Sequence, residues 1–475
     1  MTPATAAFKS NAAAAIADAK LAKALAGLPG GLVAQRAGAM ARMPELEALR
    51  TVGRDIRDHT LAHLDLYLEA FAAKAEAAGA RVHWAQTGAE ARTLIATLCR
   101  ERGARLVAKG KSMISEEIAL NRHLEEQGIA VVESDLGEYL VQIRGETPSH
   151  IIAPAIHLSQ DQVEADFRNH HRHLASDRDL ATPEQLVAEA RAVLREKFLA
   201  ADIGITGANF LVAETGSAVV VTNEGNGDLS AQLPPTHIVL ASIDKVVPTL
   251  ADLATLLRLL ARSATGQEMT AYTTLFTGPK AAGDPDGPRE CHIVIIDNGR
   301  TEMLASSMRD ALRCIRCGAC LNHCPVYNAI GGHAYGWVYA GPIGAAVTPA
   351  FLGLAAARDL PAATTACGKC DEVCPVQIPL TRLHRAWRTE AFTSAPPRHL
   401  ERALLATWAF FARRPRLYHL SARFAVAALS ALAPARRPFH RLPFARAWLA
   451  KRDFPAPQGR TFQQLWQEHQ RGVPR

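Results

Sequence analysis

The sequence lacks any run long enough to cross a membrane. A bilayer span needs about 18 or more consecutive apolar residues. The best candidate, residues 424–434 (FAVAALSALAP), is shorter and is flanked by Arg423, Arg436 and Arg437. No charged segment followed by an apolar one opens the chain, so a secretory signal is not predicted. These absences predict a cytoplasmic protein whose thiols stay reduced, and its nine cysteines therefore favour metal ligation over disulfides.

Acidic residues are scarce at the carboxyl-terminal end. Residues 398–475 hold 15 Lys and Arg against 3 Asp and Glu, a net charge of +12, whereas the remainder has a net charge of −5. A basic tail favours docking to an acidic partner, an anionic membrane surface or nucleic acid. No nucleic-acid motif accompanies the tail, and its prolines interrupt any continuous recognition helix. We therefore expect partner docking, with peripheral membrane contact as the alternative and no nucleic acid.

Four blocks divide the chain. Residues 1–78 are helical in pattern, and residues 79–304 alternate short apolar strands with helices that stop at glycine. That alternation is typical of an α/β domain with a parallel sheet. Residues 305–390 hold two cysteine runs, and residues 391–475 form the basic tail.

The first cysteine run, CIRCGACLNHCP, places Cys314, Cys317, Cys320 and Cys324 at the spacing C-x2-C-x2-C-x3-C-P. This is the spacing of bacterial ferredoxins, in which three thiolates hold one cluster and the cysteine before proline ligates the other. Structural zinc sites use two separated pairs of ligands, which fits the run poorly. Cys99 and Cys291 lie outside both runs and are predicted to be packing residues.

The second run, CGKCDEVCP, lacks its first cysteine. It holds Cys367, Cys370 and Cys374, and Thr364 stands at the position of the missing first cysteine. By the exchange rule, Cys314, Cys317, Cys320 and Cys374 hold cluster one, and Cys324, Cys367 and Cys370 hold cluster two. The second cluster is then either a [4Fe–4S] cluster completed by a ligand other than cysteine, or a [3Fe–4S] cluster.

Several long strings resemble the lactate utilisation protein B family, the iron–sulfur subunits of a bacterial L-lactate oxidation system. They include HTLAHLDLYLEAF, KGKSMISEEIALNRHLEEQGI, AETGSAVVVTNEGNG, LPPTHIVLASIDKVVP and both cysteine runs in order. The resemblance implies an α/β lactate-utilisation domain with a fold similar to ribose-5-phosphate isomerase and CoA transferases. It also implies an all-α ferredoxin-type domain with two 4Fe-4S clusters, and sister proteins as partners.

Polar residues and glycines cluster beside several predicted strands, where α/β folds place ligands. Cations at a helix start suit a carboxylate or phosphate, although turn chemistry and helix capping explain the same residues. The candidate ligand-binding residues are Lys109, Lys111, Ser112, Glu214, Thr215, Asn223, Glu224 and Asn226.

Two functions follow from these patterns. Two ferredoxin-type runs without a Gly-x-Gly-x-x-Gly fingerprint of a dinucleotide site favour an electron-transfer subunit as the first hypothesis. The family resemblance implies that this subunit acts in the oxidation of L-lactate to pyruvate. Such a subunit is a component of an oxidoreductase rather than a complete enzyme, and its electron acceptor stays open. The alternative is an enzyme that binds lactate or another small carboxylate itself, with an open iron taking part in the chemistry.

Overall fold

The computed structural model describes residues 3–394, 399–433, 437–442, 445, 449 and 452–472. The chain forms two compact units, residues 1–391 and 392–475. The first unit contains the amino-terminal helices, the α/β domain and both cysteine runs. Each unit is described by itself.

Helices open the first unit. They are α1 (Phe8–Ala17), α2 (Ala19–Leu25), α3 (Ala34–Ala41), α4 (Leu46–Ala62) and α5 (Leu64–Ala77). The apolar spacing across residues 60–79 correctly indicates helix, and Leu61, Leu64, Leu68 and Phe71 are buried. Two helices share that stretch, because the backbone leaves the helical region at His63. Gly79 follows α5 with a φ of +91°, as expected of a residue that ends a helix.

A six-stranded parallel sheet forms the centre of the α/β domain, with the strand order β1-β10-β7-β4-β2-β3. A second sheet of four strands has the order β8-β5-β6-β9 and is mixed, since β5 pairs antiparallel with β6 and parallel with β8. The strands are β1 (Arg81–Ala85), β2 (Leu106–Lys109), β3 (Ala130–Glu133), β4 (Ile203–Gly207), β5 (Phe210–Val212), β6 (Ser217–Thr222), β7 (Thr236–Ser242), β8 (Val246–Val247), β9 (Tyr272–Phe276) and β10 (Glu290–Ile296).

Eight helices accompany these strands in the sequence. They are α6 (Gly88–Glu101), α7 (Met113–Glu117), α8 (Leu120–Glu125), α9 (Leu136–Ile143), α10 (Gln160–His170), α11 (Pro183–Ala200), α12 (Asn226–Gln232) and α13 (Leu250–Thr265). The central strands β7 and β10 are buried on both faces and mostly apolar, as expected of a parallel sheet covered by helices. Cys99 and Cys291 are buried in this apolar core, in agreement with the packing role predicted for them.

Short helices carry the cysteine runs. They are α14 (Arg300–Leu304), α15 (Ala319–Asn322), α16 (Pro325–Ile330), α17 (Gly341–Leu352), α18 (Lys369–Val373) and α19 (Leu380–Ser394). This part shares one apolar core with α4, α13 and the mixed sheet, so the cysteine runs rest against the rest of the unit.

The described residues of the second unit form α20 (His399–Ala412), α21 (Pro415–Leu432) and α22 (Phe462–Gly472), and Phe439 pairs with Phe454 in an isolated bridge. Large apolar side chains on α20 and α21 are exposed, among them Leu404, Trp408 and Phe424. Within the described ranges, none of the helices has the length and apolar character that a membrane span requires.

Candidate metal centre and the cleft beside it

Four cysteines surround one small cavity. Cys314, Cys317 and Cys320 come from the first run and Cys374 from the second, and all four line this cavity. Backbone amides point at two of the sulfurs, since Arg316 N lies 3.4 Å from Cys314 Sγ and Ile378 N lies 3.3 Å from Cys374 Sγ. The arrangement brings together the four cysteines that the exchange rule assigns to cluster one.

The electrostatics of this group suit a metal cluster. Burial raises the pKa of the Cys317 thiol to about 12 and that of the Cys374 thiol to about 11. Burial also raises the pKa of Cys320 well above its ordinary value, and the three neighbouring sulfurs raise it further. These three buried thiols are costly to ionise without a cation to bind them. The donor set therefore fits an iron–sulfur cluster, which takes thiolates as ligands.

Three cysteines form a second, more open group. Burial raises the pKa of Cys324, and Cys367 is close enough to raise it further. Burial likewise raises the pKa of Cys370 to about 12, with Cys324 among the contributing neighbours. Cys367 is exposed, and the hydroxyl of Thr365 lowers its pKa. These three sulfurs are the ones that the exchange rule assigns to cluster two.

The loops of the two runs have matching backbones. Arg316 and Gly318 have φ angles of 61° and 74°, and Ala366 and Gly368, at the equivalent positions, have 55° and 78°. Arg316 donates its amide to Cys314 Sγ, and Ala366 donates its amide to Thr364 Oγ1 at 3.0 Å. The hydroxyl of Thr364 therefore occupies the place in the second loop that a thiol occupies in the first.

Asp371, the nearest carboxylate in the second run, is already engaged. Its Oδ1 accepts the amide of Thr381 at 2.9 Å, and its Oδ2 accepts the hydroxyl of the same residue. Both oxygens thus hold the first turn of α19, while Oδ1 also lies 3.6 Å from Cys370 Sγ of the second group.

Arginines from the amino-terminal helices hold the second run in place. Arg50 of α4 donates Nη2 to the carbonyl of Glu372 at 2.7 Å and to that of Cys374 at 2.9 Å. Arg36 of α3 donates to the carbonyl of Val373 at 3.0 Å. Sequence reasoning missed both arginines. The repeated spacing of Arg50, Arg54 and Arg57 along one helix was the signal that could have found the α4 contact.

A cleft of about 270 Å³ opens in the α/β domain. Five of the eight candidate ligand-binding residues line it, and the structure brings them together from two separate segments. These five residues are Lys111, Ser112, Asn223, Glu224 and Asn226.

The other three candidates have structural contacts elsewhere. Lys109 is fully buried, 2.8 Å from a carboxylate oxygen of Glu133 and 3.2 Å from one of Glu116. Glu214 accepts the amide of Leu250 at 2.8 Å, at the start of α13. Thr215 donates to Ser217 within the β5–β6 turn. That turn and residues 222–227 lie at opposite ends of β6, so only the second segment reaches the cleft.

A buried charge network lies beside the cleft. Arg300, which is 1% exposed, donates Nη2 to Glu117 at 2.7 Å and Nε to Asp244 at 2.8 Å. Tyr339 donates its hydroxyl to the same Glu117 at 2.5 Å. Burial raises the pKa of Glu117, but Arg300 and the hydrogen bonds outweigh it and the pKa lies below its ordinary value. The network joins the α/β domain to the segment between the cysteine runs.

Two further cations line the cleft and were not among the sequence candidates. Lys245 makes no hydrogen bond or ion pair within the described ranges, and burial lowers its pKa to about 8. Arg316 stacks over the ring of Tyr339 at 4.5 Å, and its buried Nη1 has no partner among the described residues. Arg316 and Ile151 line both the cleft and the four-cysteine cavity. The two sites therefore share a wall.

An α/β domain with a parallel sheet, joined to a helical segment that gathers seven cysteines, defines an iron–sulfur protein. Family models agree along the chain: a LUD domain matches residues 68–296, a 4Fe-4S dicluster domain residues 310–378, and a "Lactate utilisation protein B, C-terminal" model residues 393–471.

Relatives of similar length extend this result. The chain is 39% identical to "Lactate utilization protein B" of Bacillus velezensis, over 98% of each chain. It is 41% identical to the protein of that name from a Geobacillus species, over 94% of each. It is also 40% identical to the "Uncharacterized electron transport protein YkgF" of Escherichia coli, over 98% of this chain and 97% of the relative. The chain belongs to the lactate utilisation protein B family.

Proposed function

We propose that this chain is an iron–sulfur electron-transfer component of a system that oxidises L-lactate to pyruvate. That oxidation releases two electrons and two protons. The observation that carries the proposal is the sorting of seven cysteines into a group of four around one small cavity and a more open group of three. When bound, iron–sulfur clusters supply one-electron transfer. Two groups of cysteines, each proposed to hold one cluster, suit a carrier that accepts electrons one at a time.

The proposed ligand sets follow the two groups. Cys314, Cys317, Cys320 and Cys374 hold one cluster, and the remaining three cysteines hold a second, either [4Fe–4S] with a ligand other than cysteine or [3Fe–4S]. Burial of the first group keeps water from its sulfurs. The exposed Cys367 in the second group offers an exit for electrons toward a partner.

The side chains around the groups keep the thiolates in register. Arg50 and Arg36 bind the carbonyls of residues 372–374 and so place Cys374 opposite the first run. Both arginines also bring positive charge toward the sulfurs, and positive charge near a cluster stabilises its reduced form and raises its potential.

The partners proposed are sister lactate-utilisation proteins and an electron acceptor outside this chain. The names of the relatives support the first of these. The exposed apolar side chains of α20 and α21, in the basic tail, form a surface that suits docking to such a partner or to an anionic membrane. We also propose the ribose-5-phosphate isomerase and CoA-transferase-like fold for the α/β domain, which the helix-covered parallel sheet supports.

Growth on L-lactate tests the proposal. A strain without the gene is complemented with the wild-type chain, Cys317→Ala or Cys99→Ala. The last is a matched control, because Cys99 is buried in α6, far along the chain from both runs. We expect Cys317→Ala to lose iron and fail to restore growth, and Cys99→Ala to keep both. Full growth with a chain that holds no iron would refute the electron-transfer role.

A further inference from the structure

The cleft of the α/β domain has the features of a ligand site rather than of a packing defect. Its volume of about 270 Å³ approaches the usual range of small-molecule pockets, about 300–1,000 Å³. Ser112, which is 6% exposed, lines the cleft with a buried hydroxyl that has no hydrogen-bond partner in the described chain. Native structures leave few such groups unpaired, so an unpaired hydroxyl on a residue that lines a cavity points to a missing partner.

The charges in the cleft favour an anion. Lys111, Lys245 and Arg316 line it and form no ion pair among the described residues, whereas Arg300 is already neutralised by Glu117 and Asp244. Acidic side chains line it too, at Asp135 and Glu224, and Asp135 is engaged at the start of α9. Partly buried cations without partners are costly, and a bound carboxylate would pair with them.

The place of the cleft suits the chemistry of this chain. Arg316 lies between Cys314 and Cys317 in the sequence and borders both the cleft and the four-cysteine cavity. A ligand held by Arg316 would therefore lie against the wall of that cavity. None of the cysteines of the second group lines the cleft. The cleft thus adjoins the fully cysteine-lined group and not the group with the open position.

From these observations we propose that the cleft binds a small carboxylate of the 2-hydroxy or 2-oxo acid class, anchored by Lys245 and Arg316. The carboxylate pairs with the cations. The hydroxyl of Ser112 supplies the hydrogen bond that a hydroxyl or keto oxygen on the neighbouring carbon requires. The choice of lactate and pyruvate as the members to test rests on the proposed function.

Equilibrium binding to the full chain, purified without oxygen and with its iron content verified, tests this inference. L-Lactate, pyruvate and inorganic phosphate are each titrated against wild type, Lys245→Met, Ser112→Ala and Lys197→Met. Lys197→Met is the matched control, because Lys197 is exposed on α11 and does not line the cleft. We expect lactate or pyruvate to bind wild type and the control equally, and at least tenfold more weakly to Lys245→Met and to Ser112→Ala.

A second measurement, the midpoint potential of the clusters, uses the position of the cleft beside the four-cysteine cavity. An anion beside a cluster stabilises its oxidised form, so a saturating carboxylate should lower the midpoint potential of one cluster in wild type and leave it unchanged in Lys245→Met. Absence of carboxylate binding to iron-loaded protein would overturn the inference and leave the electron-transfer role intact. Unweakened binding to Lys245→Met, or binding of phosphate alone, would overturn it as well. A purified wild-type chain that holds no iron would instead refute the proposed function.

Discussion

At the scale of single residues, Thr364 distinguishes the two cysteine runs. Its hydroxyl accepts the amide of Ala366 in the way that Cys314 Sγ accepts the amide of Arg316. The backbone of the second loop therefore already has the conformation that a cysteine ligand requires. At the ligand position, the loops differ by a hydroxyl in place of a thiol.

Replacing Thr364 by cysteine should complete the second ligand set. We expect Thr364→Cys to hold two four-iron clusters and to resist loss of iron in air. The wild type should release one iron from the second site on oxidation and then show the paramagnetic signal of a [3Fe–4S] cluster. Iron analysis with electron paramagnetic resonance spectroscopy measures both.

Thr365→Cys serves as the matched control, one position further along the same loop. The side chain of Thr365 hydrogen-bonds to Cys367 and does not accept the loop amide in the way that Thr364 does. If Thr365→Cys stabilised the second cluster as well as Thr364→Cys does, the assignment of residue 364 to the ligand position would be wrong.

At the scale of secondary-structure elements, α4 acts as a brace for the second cysteine run. Arg50 lies on this helix and is nearly buried, and its guanidinium bonds the carbonyls of Glu372 and Cys374. Arg57, two turns further along the same helix, donates to the carbonyls of Val246 and Leu312. The helix thus ties the cysteine segment to the α/β domain.

Removal of the Arg50 guanidinium should release Cys374 from the first group. We expect Arg50→Met to fold but to lose iron several times faster than wild type when exposed to a chelator. Arg42→Met is the control, because Arg42 is exposed at the end of α3 and bonds only the carbonyl of Gly38 and a surface carboxylate. Equal rates of iron loss in both variants would contradict the bracing role of α4.

The elements were predictable where the signal was local. The segments RVHWA and HIVIIDN carry a clear strand signal, and strands form in both. Strand β4 (IGITG) carries a weak signal, because two glycines weaken its strand pattern. Gly204 is nevertheless required there, since a Cβ would lie 1.6 Å from the carbonyl oxygen of Ser230 in α12. That constraint arises from tertiary packing and leaves no trace in neighbouring residues.

The cysteine groups and the cleft also differ in how far the sequence predicts them. The cysteine groups could be anticipated because ligand spacing is a local property of the chain. The cleft could be anticipated only in part: Lys111, Ser112 and Asn226 stand out beside predicted strands, whereas Lys245 and Arg316 look like ordinary charged residues. Only the fold brings Arg316 of the cysteine loop against residues of the α/β domain.

At the scale of the whole molecule, the network of Arg300, Glu117, Asp244 and Tyr339 joins parts of the first unit that are distant in sequence. Removing one partner from a buried ion pair costs about 3–5 kcal/mol, because the remaining charge loses its compensation. Arg300→Met should therefore lower the free energy of unfolding by about that amount, as measured by chemical denaturation.

The cost should depend on pH. In wild type, Glu117 and Asp244 have lowered pKa values, so their stabilising contribution is present above the unfolded pKa of about 4 and is lost as the pH falls. Without Arg300, burial raises the pKa of Glu117 above its unfolded value. The folded Arg300→Met variant therefore loses stability as the pH rises. Arg300→Met should thus be more destabilised relative to wild type at pH 8 than at pH 5. Equal destabilisation at both pH values would refute the role assigned to these charges.

The proposed exchange of cysteines between the two runs has a consequence for the order in which the ligands become available. Cys374 completes the group that begins at Cys314, and Cys324 belongs with Cys367 and Cys370. A nascent chain that has not yet reached residue 374 lacks one cysteine of the proposed first set, however long the first run has been available. With the proposed ligand sets, that cluster can be completed only after α16, α17 and α18 have been made and the two runs have come together.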